Sequence, residues 1–352
     1  MKYNYLGNTG LAVSELCLGT MTFGGGGYWE AIGKLQQDDV NDIVKTAIDA
    51  GINFIDTANV YSFGQSETLL GQSLKDLNIS RNEVVIATKV RGRMGEGVNN
   101  VGLTRYHIMH SVDESLKRLD INHIDILYVH GVDPATPVEE IMRTLNDVVL
   151  TGKVRYIAVC NWPAWMVMKA QGIADKHGWH KFIGMQYFYS VAGRDIEREI
   201  VPLAIDQHMG IMPWSPLAGG FLSGKYTRTQ EVAGNSRRDT FDFPPINKNK
   251  AFDIIDVMAT VGKQIGVSVA EVGLAWVRQQ QAITSTIIGA KNLQQLNDNI
   301  HSTHITLTPA HLEQLDEVSA LSKEYPGWMV ERQSADRKLN VTAESILTQI
   351  KK

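Results

Sequence analysis

Apolar and polar residues alternate over the first 15 positions in two short segments about Gly7-Asn8-Thr9-Gly10, whose glycines and asparagine suit a tight turn, so the chain is expected to open with a β-hairpin. Beyond it the pattern changes. Short unbroken apolar runs recur at 16–19, 53–55, 84–88, 124–129, 154–159, 182–185, 211–213 and 286–288, the form of strands buried on both faces. Stretches with helical spacing lie between and after them, at 38–50, 66–74, 104–119, 137–150, 163–176, 195–208, 269–279 and 292–300. Eight strands alternating with eight helices predict an α/β fold, a parallel (β/α)8 barrel ringed by its helices. Thr136-Pro137 and Trp162-Pro163 put proline in a first turn, and Ser268 stands ready as an N-cap. No Pro-, Gly- or Ser-rich linker divides the pattern, and the expectation is one domain over 1–352.

Two stretches exceed a minimal barrel. The segment 219–249, with Arg228, Arg237 and Arg238, reads as a long loop after the seventh strand, and loops of that length in a compact domain are usually functional. Further helices are expected at 308–321 and around 342–350, closing the lower end of the barrel or covering its mouth.

Composition narrows the function classes. With 352 residues, 43% apolar and 20% charged, the chain reads as an ordinary globular protein, and a net charge of −4 offers no basic excess for nonspecific nucleic-acid binding. No apolar run approaches the roughly 20 residues of a membrane span, and the first residues lack the apolar core of a secretion signal, so the expected location is the cytoplasm. Cys17 and Cys160 are too few for a disulfide framework or a metal cage, and no metal site is expected.

In such barrels chemistry gathers at the carboxyl ends of the strands, so the residue closing each run carries the most information. Those residues are Thr20, Asp56, Lys89, His130, Cys160 with Asn161, Gln186, Trp214 and Gly289. Asp56 needs a partner if buried, and Lys89 on the neighbouring strand, about 4.8 Å away, supplies one, with His130 on the strand beyond. Tyr61 sits in the loop above Asp56. A phenol ordinarily titrates near 10, and a nearby ammonium is expected to lower that value and make Tyr61 a tunable acid. A carbonyl oxygen between Tyr61 and His130 would then take a proton as a hydride reaches its carbon, which requires a hydride-carrying cofactor. Trp214-Ser215-Pro216-Leu217-Ala218-Gly219-Gly220 places a flat ring at a strand end, followed by backbone that can approach phosphate. Lys291 at the mouth of the last helix stands where a phosphate would gain from the helix dipole. Gly24-Gly25-Gly26-Gly27 lacks the spacing of a dinucleotide fingerprint and reads as a loop beside the substrate, with Tyr28 and Trp29 as candidate contacts. His107 and His110 read as surface residues.

Taken together, Leu16-Cys17-Leu18-Gly19-Thr20, the Asp56 stretch, Ala87-Thr88-Lys89, Asp125-Ile126-Leu127-Tyr128-Val129-His130, Gly152-Lys153-Val154-Arg155 and Ile288-Gly289-Ala290-Lys291 resemble the aldo-keto reductases over nearly the whole chain. The long loop is similar to that of the subgroup containing potassium-channel beta subunits and bacterial relatives. The resemblance implies a catalytic set of Asp56, Tyr61, Lys89 and His130 and a nicotinamide cofactor lying across the barrel mouth. Asn161 and Gln186 would take the carboxamide, Trp214 the nicotinamide face, and Ser215, Pro216, Leu217, Gly219 and Lys225 the pyrophosphate. Gly289, Lys291, Gln295, Asp298 and Asn299 would hold the adenosine end, and Thr20, Asp56 and Cys160 complete the cofactor set. Cys160 stands where similar proteins commonly carry serine.

The leading expectation is therefore an NADP(H)-dependent reductase of aldehydes or ketones, sugars and sugar derivatives included, acting on a small-molecule carbonyl with Tyr28, Trp29, Tyr61 and His130 lining its place. A cofactor-binding, redox-sensing regulatory subunit with little turnover is the alternative. A Schiff-base lyase using Lys89 is a third, and Asp56 counts against it because pairing keeps the amine charged. Homo-oligomer formation, reaction direction and the particular substrate stay open.

Overall fold

Period-two alternation on strands buried from both sides organises the protein, described over residues 1–228, 238 and 241–335 of a computed structural model. Arg237 and the expected helix at 342–350 lie outside the described residues. The chain divides into two compact units, 1–319 and 320–352. In the first unit a hairpin of β1 (Tyr3–Tyr5) and β2 (Ala12–Ser14) precedes β3 (Leu16–Gly19), β4 (Phe54–Asp56), β5 (Val85–Val90), β6 (Ile124–Val129), β7 (Val154–Cys160), β8 (Phe182–Phe188), β9 (Gly210–Trp214) and β10 (Thr286–Ile288). The last eight pair in parallel in the order β10-β3-β4-β5-β6-β7-β8-β9. Ile211 then bridges Ile283, and Thr284 N–H donates to the Ile211 carbonyl at 2.9 Å, which brings β9 round to the start of β10 and closes the sheet as a (β/α)8 barrel.

Alternation sorts the side chains into two cores. One set faces inward, where Cys17, Phe54, Val85, Ala87, Ile126, Tyr128, Ala158, Cys160, Met212 and Ile287 fill the barrel with Leu6 and Val13 of the hairpin. The other set packs outward under the helices, with Leu16, Leu18, Ile55 and Ile86 on one side and Leu127, Val129, Ile157, Val159 and Met185 on another. The hairpin closes the lower end because Gly7, in the left-handed region at φ 56°, brings its backbone so near Ile183 that a Cβ would lie 2.2 Å from that carbonyl oxygen.

Helices largely fall where the spacing placed them: Gln37–Asp49, Gln65–Asp76, Arg105–Leu119, Val138–Leu150, Ala164–His177, Val269–Arg278, Leu293–His301 and Pro309–Ser319. Ser268 caps Val269–Arg278 in a reciprocal arrangement with Glu271. Four readings need correction. Pro137 and Pro163 occupy the position before the first helical residue rather than the first turn. The stretch 195–208 breaks into a 3-10 turn, Asp195–Glu197, and a short helix, Ile200–Asp206, because Pro202 lacks the N–H that a continuous helix would need. The supposed loop 219–249 ends at Asn247, which caps an unanticipated 18-residue helix, Lys248–Ile265, buried through Ala251, Ile254, Ile255, Met258 and Val261. His107 is buried rather than exposed. In the second unit the described residues include the helix Gly327–Ala335. No helix among the described residues is long and apolar enough to cross a membrane.

The helix Gln65–Asp76 packs its Gly71 against Leu119, and a Cβ there would lie 2.4 Å from the Leu119 carbonyl oxygen, which is backbone and cannot swing aside. Gly71→Ala is expected to lower stability by about 1–3 kcal/mol, read from the urea midpoint; an unchanged midpoint would show that the two helices separate freely.

Candidate active site

Phe54 and Asp56 of β4, Ala87 and Lys89 of β5, and Ile126 and Tyr128 of β6 point into the barrel by alternation, and His130 follows just above. Register sets their heights. Asp56 pairs with Ala87 and Lys89 with Tyr128, so the lysine stands one inward layer above the aspartate. Its long side chain reaches back. Lys89 Nζ donates to Asp56 Oδ2 at 2.5 Å, to the Thr57 carbonyl at 2.8 Å and to Tyr61 Oη at 3.3 Å. The Tyr61 ring lies edge-on to His130, centroids 6.0 Å apart. The second carboxylate oxygen, Asp56 Oδ1, accepts from Gln186 Nε2 at 2.9 Å, from the far side of the barrel. Gln186 was expected at the mouth; its donation to Asp56 was not.

Both members of the ion pair are nearly inaccessible, Asp56 at 2% and Lys89 at 1%. Burial works against the Lys89 charge, yet Asp56 outweighs it and holds the ammonium above its ordinary value. Burial raises the Asp56 carboxyl, opposed by the charge and hydrogen bond of Lys89 and by the hydrogen bond from Gln186. For Tyr61 the expected sign is overturned. Burial raises the phenol above its ordinary value, and the opposing pull of Lys89 does not compensate, partly because Asp56 cancels it. Burial and the cations Lys89 and Arg91 push the His130 imidazole down to about 3, which leaves it neutral at pH 7. Burial likewise pushes the Cys160 thiol up.

Polar groups behind the strands hold this arrangement. Ser66 Oγ donates to the Thr20 carbonyl at 2.9 Å and lies 2.8 Å from the Thr20 hydroxyl and 3.2 Å from that of Thr57. Thr20 is thus fully buried, its hydroxyl turned to Ser66 rather than the mouth. Glu67, also fully buried, accepts from Thr88 Oγ1 at 2.5 Å and from Arg118 Nε at 2.7 Å, fixing the residue before Lys89. Ser66 and Glu67 went unnoticed because a polar pair at a helix start reads as surface. Asn59, fully buried, has both amide atoms without a partner.

The positions assigned to a cofactor fall in two groups. Around the mouth, Trp214 Nε1 donates to Asn161 Oδ1 at 3.1 Å, and Asn161 Nδ2 donates to the His130 carbonyl at 3.4 Å. The Trp214 ring is stacked on Phe243, centroids 5.5 Å apart and 8° from parallel, so one of its faces is occupied by protein. Ser215 and Asn161 take left-handed backbone, and Pro216 is buried beneath the turn. Ala218, Gly219 and Gly220 follow with φ of 49°, 65° and 91°. Arg238 is buried and donates to the Ala218 carbonyl at 2.6 Å, so it braces this loop from below. Leu217 packs partly into the core, and Lys225 is exposed. At the β10 end, Gln295 accepts from the Lys291 N–H at 2.9 Å, Asn299 donates to the Gly289 carbonyl at 3.2 Å, Asp298 accepts from Gln294 at 2.7 Å, and Lys291 Nζ reaches the Ala31 carbonyl at 3.5 Å. On the opposite side Trp29 is 5% exposed with its ring 5.5 Å from that of Tyr61, whereas Tyr28 is mostly exposed.

A parallel barrel carrying an Asp–Lys–Tyr set and a neutral histidine at the carboxyl ends of successive strands is an enzyme-like scaffold. Residues 15–320 match the Aldo/keto reductase family, and the chain belongs to that family. It is 34% identical over 345 residues to the versiconal hemiacetal acetate reductase of Aspergillus parasiticus, covering 93% of this chain and 99% of that protein. It is 35% identical over 336 residues to a Schizosaccharomyces pombe protein named provisionally as an aryl-alcohol dehydrogenase, covering 90% and 95%. A similar likeness, 32% over 326 residues with 90% and 96% covered, joins it to an Arabidopsis thaliana protein named provisionally as a voltage-gated potassium channel subunit beta.

The imidazole of His130 gives a pH prediction. Its ordinary value is 6.5 and its folded value about 3, so between these the unfolded chain binds a proton that the folded chain refuses. Stability is therefore lost as pH falls from 6.5 toward 3. His130→Asn is expected to lose less stability than the parent between pH 7 and pH 4.5, measured by urea midpoints at both; equal losses would place the histidine in water.

Proposed function

We propose that this chain is an NADP(H)-dependent reductase of aldehyde and ketone carbonyls, aromatic ones foremost, with Tyr61 as the proton donor. One observation carries the reading: a single buried ammonium, Lys89, is hydrogen-bonded at once to Asp56 and to the hydroxyl of Tyr61 beside His130. The relatives named as a reductase and as an aryl-alcohol dehydrogenase support the class, and the Trp29 ring, edge-on beside Tyr61, supports an aromatic substrate.

The backbone after β9 fits a bound dinucleotide. Left-handed backbone at 218–220 is held by bonds within the turn, Ala218 N–H to the Ser215 carbonyl at 2.8 Å and Gly220 N–H to the Leu217 carbonyl at 2.9 Å, and its two glycines put no side chain in the way of a phosphate. Ser215, Leu217, Gly219 and Lys225 would hold the pyrophosphate, Asn161 and Gln186 the carboxamide, and Lys291 the terminal phosphate. When bound, the nicotinamide supplies hydride. The protein's own part is to hold the carbonyl oxygen and deliver the proton. Neutral His130 donates an N–H to that oxygen, and Tyr61 Oη gives up its hydrogen to it. Because burial keeps Tyr61 protonated at rest, the acid is loaded before the substrate arrives. As the phenolate forms, Lys89 at 3.3 Å stabilises it, and Asp56 keeps the ammonium in place.

The channel-subunit relative favours a second reading, a cofactor-binding subunit that reports redox state with little turnover. Turnover separates the two. Tyr61→Phe is expected to lower NADPH-dependent reduction of benzaldehyde by about 10²–10⁴-fold while leaving the Kd for NADPH unchanged. Tight NADPH binding by the parent with no oxidation across a carbonyl panel would favour the regulatory subunit. Lys291→Ala is expected to cut the preference for NADPH over NADH about tenfold, as loss of one charged hydrogen bond implies; an unaltered ratio of kcat/KM values would move the phosphate contact elsewhere.

A further inference from the structure

Five rings run in unbroken contact from the reaction centre to solvent. His130 meets Tyr61 edge-on at 6.0 Å, Tyr61 meets Trp29 at 5.5 Å, Trp29 meets Tyr28 at 4.7 Å and Tyr28 meets Phe63 at 6.1 Å, again edge-on. The inner rings are covered, Tyr61 at 9% and Trp29 at 5% exposed, whereas Tyr28 is 56% and Phe63 61% exposed. A lone exposed aromatic needs no explanation. Two in mutual contact, continuous with a buried acid, do.

The backbone under Phe63 adds a second observation. Ser62 and Phe63 both adopt left-handed conformations, φ 46° ψ 38° and φ 55° ψ 39°, although neither is glycine, asparagine or aspartate. Two such residues in succession persist only where their surroundings enforce them, and strain of this kind collects at ligand sites. Here Ser62 Oγ donates to the Phe23 carbonyl at 3.1 Å and Phe63 N–H to the Val60 carbonyl at 3.1 Å. Opposite them runs the Gly24–Gly27 loop, tied to the same segment where Gly25 N–H donates to Gln65 Oε1 at 3.3 Å. At Gly27 a Cβ would come within 4.0 Å of the Phe63 ring edge, so the ring stands against bare backbone.

We infer that Tyr28 and Phe63 form an outer subsite for the second ring of an extended aromatic carbonyl, a biaryl or fused bicyclic aldehyde or ketone whose inner ring lies against Trp29. The inference rests on the carbonyl-reductase reading above. Edge and face contacts with a second ring would cover apolar surface that the free protein leaves in water. A protein partner fits less well, because two rings are a small fraction of a stable protein interface and the patch leads directly to Tyr61.

The test compares kcat/KM for biphenyl-4-carbaldehyde and benzaldehyde in the parent, Phe63→Ala and Phe63→Tyr, with NADPH as reductant. The parent is expected to favour the biaryl aldehyde. Phe63→Ala should lower the biaryl-to-benzaldehyde ratio about tenfold, chiefly through KM, and Phe63→Tyr should retain it. An unchanged ratio in Phe63→Ala, with both aldehydes still reduced, overturns the subsite and leaves the reductase reading intact. If Phe63→Ala loses benzaldehyde reduction as well, Tyr28→Ala on the other loop decides: a lowered ratio there supports the subsite and an unchanged one overturns it. Failure of the parent to reduce either aldehyde overturns the subsite, and the reductase reading falls with it only if NADPH oxidation is also absent across the broader carbonyl panel.

Discussion

The ion pair of Asp56 and Lys89 constrains everything above it. Removing two charges from water costs several kcal/mol for each, and the cost is offset only where the remaining valences are filled. An ammonium has three N–H donors, and Lys89 directs them to Asp56, to the Thr57 carbonyl and to Tyr61. Asp56 completes its own set through Gln186. The direction of the last lysine bond matters most. Lys89 has no lone pair, so Tyr61 Oη must accept, and its own hydrogen is left to point elsewhere. Satisfying a buried charge thereby leaves the phenol with a hydrogen to give.

Burial then decides how that phenol behaves. A lysine beside a tyrosine invites the idea of a lowered pKa, but the same barrel interior that forces the ion pair together also disfavours a phenolate, and Asp56 opposes the lysine's field. The resting site is a set of neutral donors, Tyr61 and His130, over a locked ion pair. In the proposed reduction this suits the chemistry. Negative charge develops only as the reaction proceeds, and the cation positioned to meet it is already in place, with no reorganisation at that moment.

Much of this was legible in the chain. Unbroken apolar runs ending in Asp56, before Lys89 and before His130 gave the barrel and the convergence of those three residues, because period-two alternation is local and the order of parallel strands follows the order of the chain. What escaped notice depended on long-range geometry or on ambiguous polarity. Gln186 lies 130 residues from Asp56, and nothing in its neighbourhood announces an inward hydrogen bond. The helix Lys248–Ile265 opens on Lys248-Asn249-Lys250, which reads as loop until Ala251, Ile254, Ile255 and Met258 are found on one buried face. The left-handed backbone at Ser62 and Phe63 breaks the ordinary preference of those residue types, so no propensity could have located it.

The barrel mouth is also divided by chemistry. Loops after β3 and β4 carry rings, with Tyr28, Trp29, Tyr61 and Phe63 in one connected series. Those at and after β7, β8 and β9 carry the amides of Asn161 and Gln186, the indole N–H of Trp214 and the left-handed turn at 218–220. An amide offers a donor and an acceptor at fixed separation, whereas rings offer an apolar body. The two halves meet over Lys89, where Gln186 on one side and Tyr61 on the other are joined through the same ion pair. The halves touch a second time where Phe241, from the chain after β9, packs against the cluster of Trp29, Ile32, Ala58 and Tyr61, so rings from both sides of the barrel flank the phenol that stands over the buried charge.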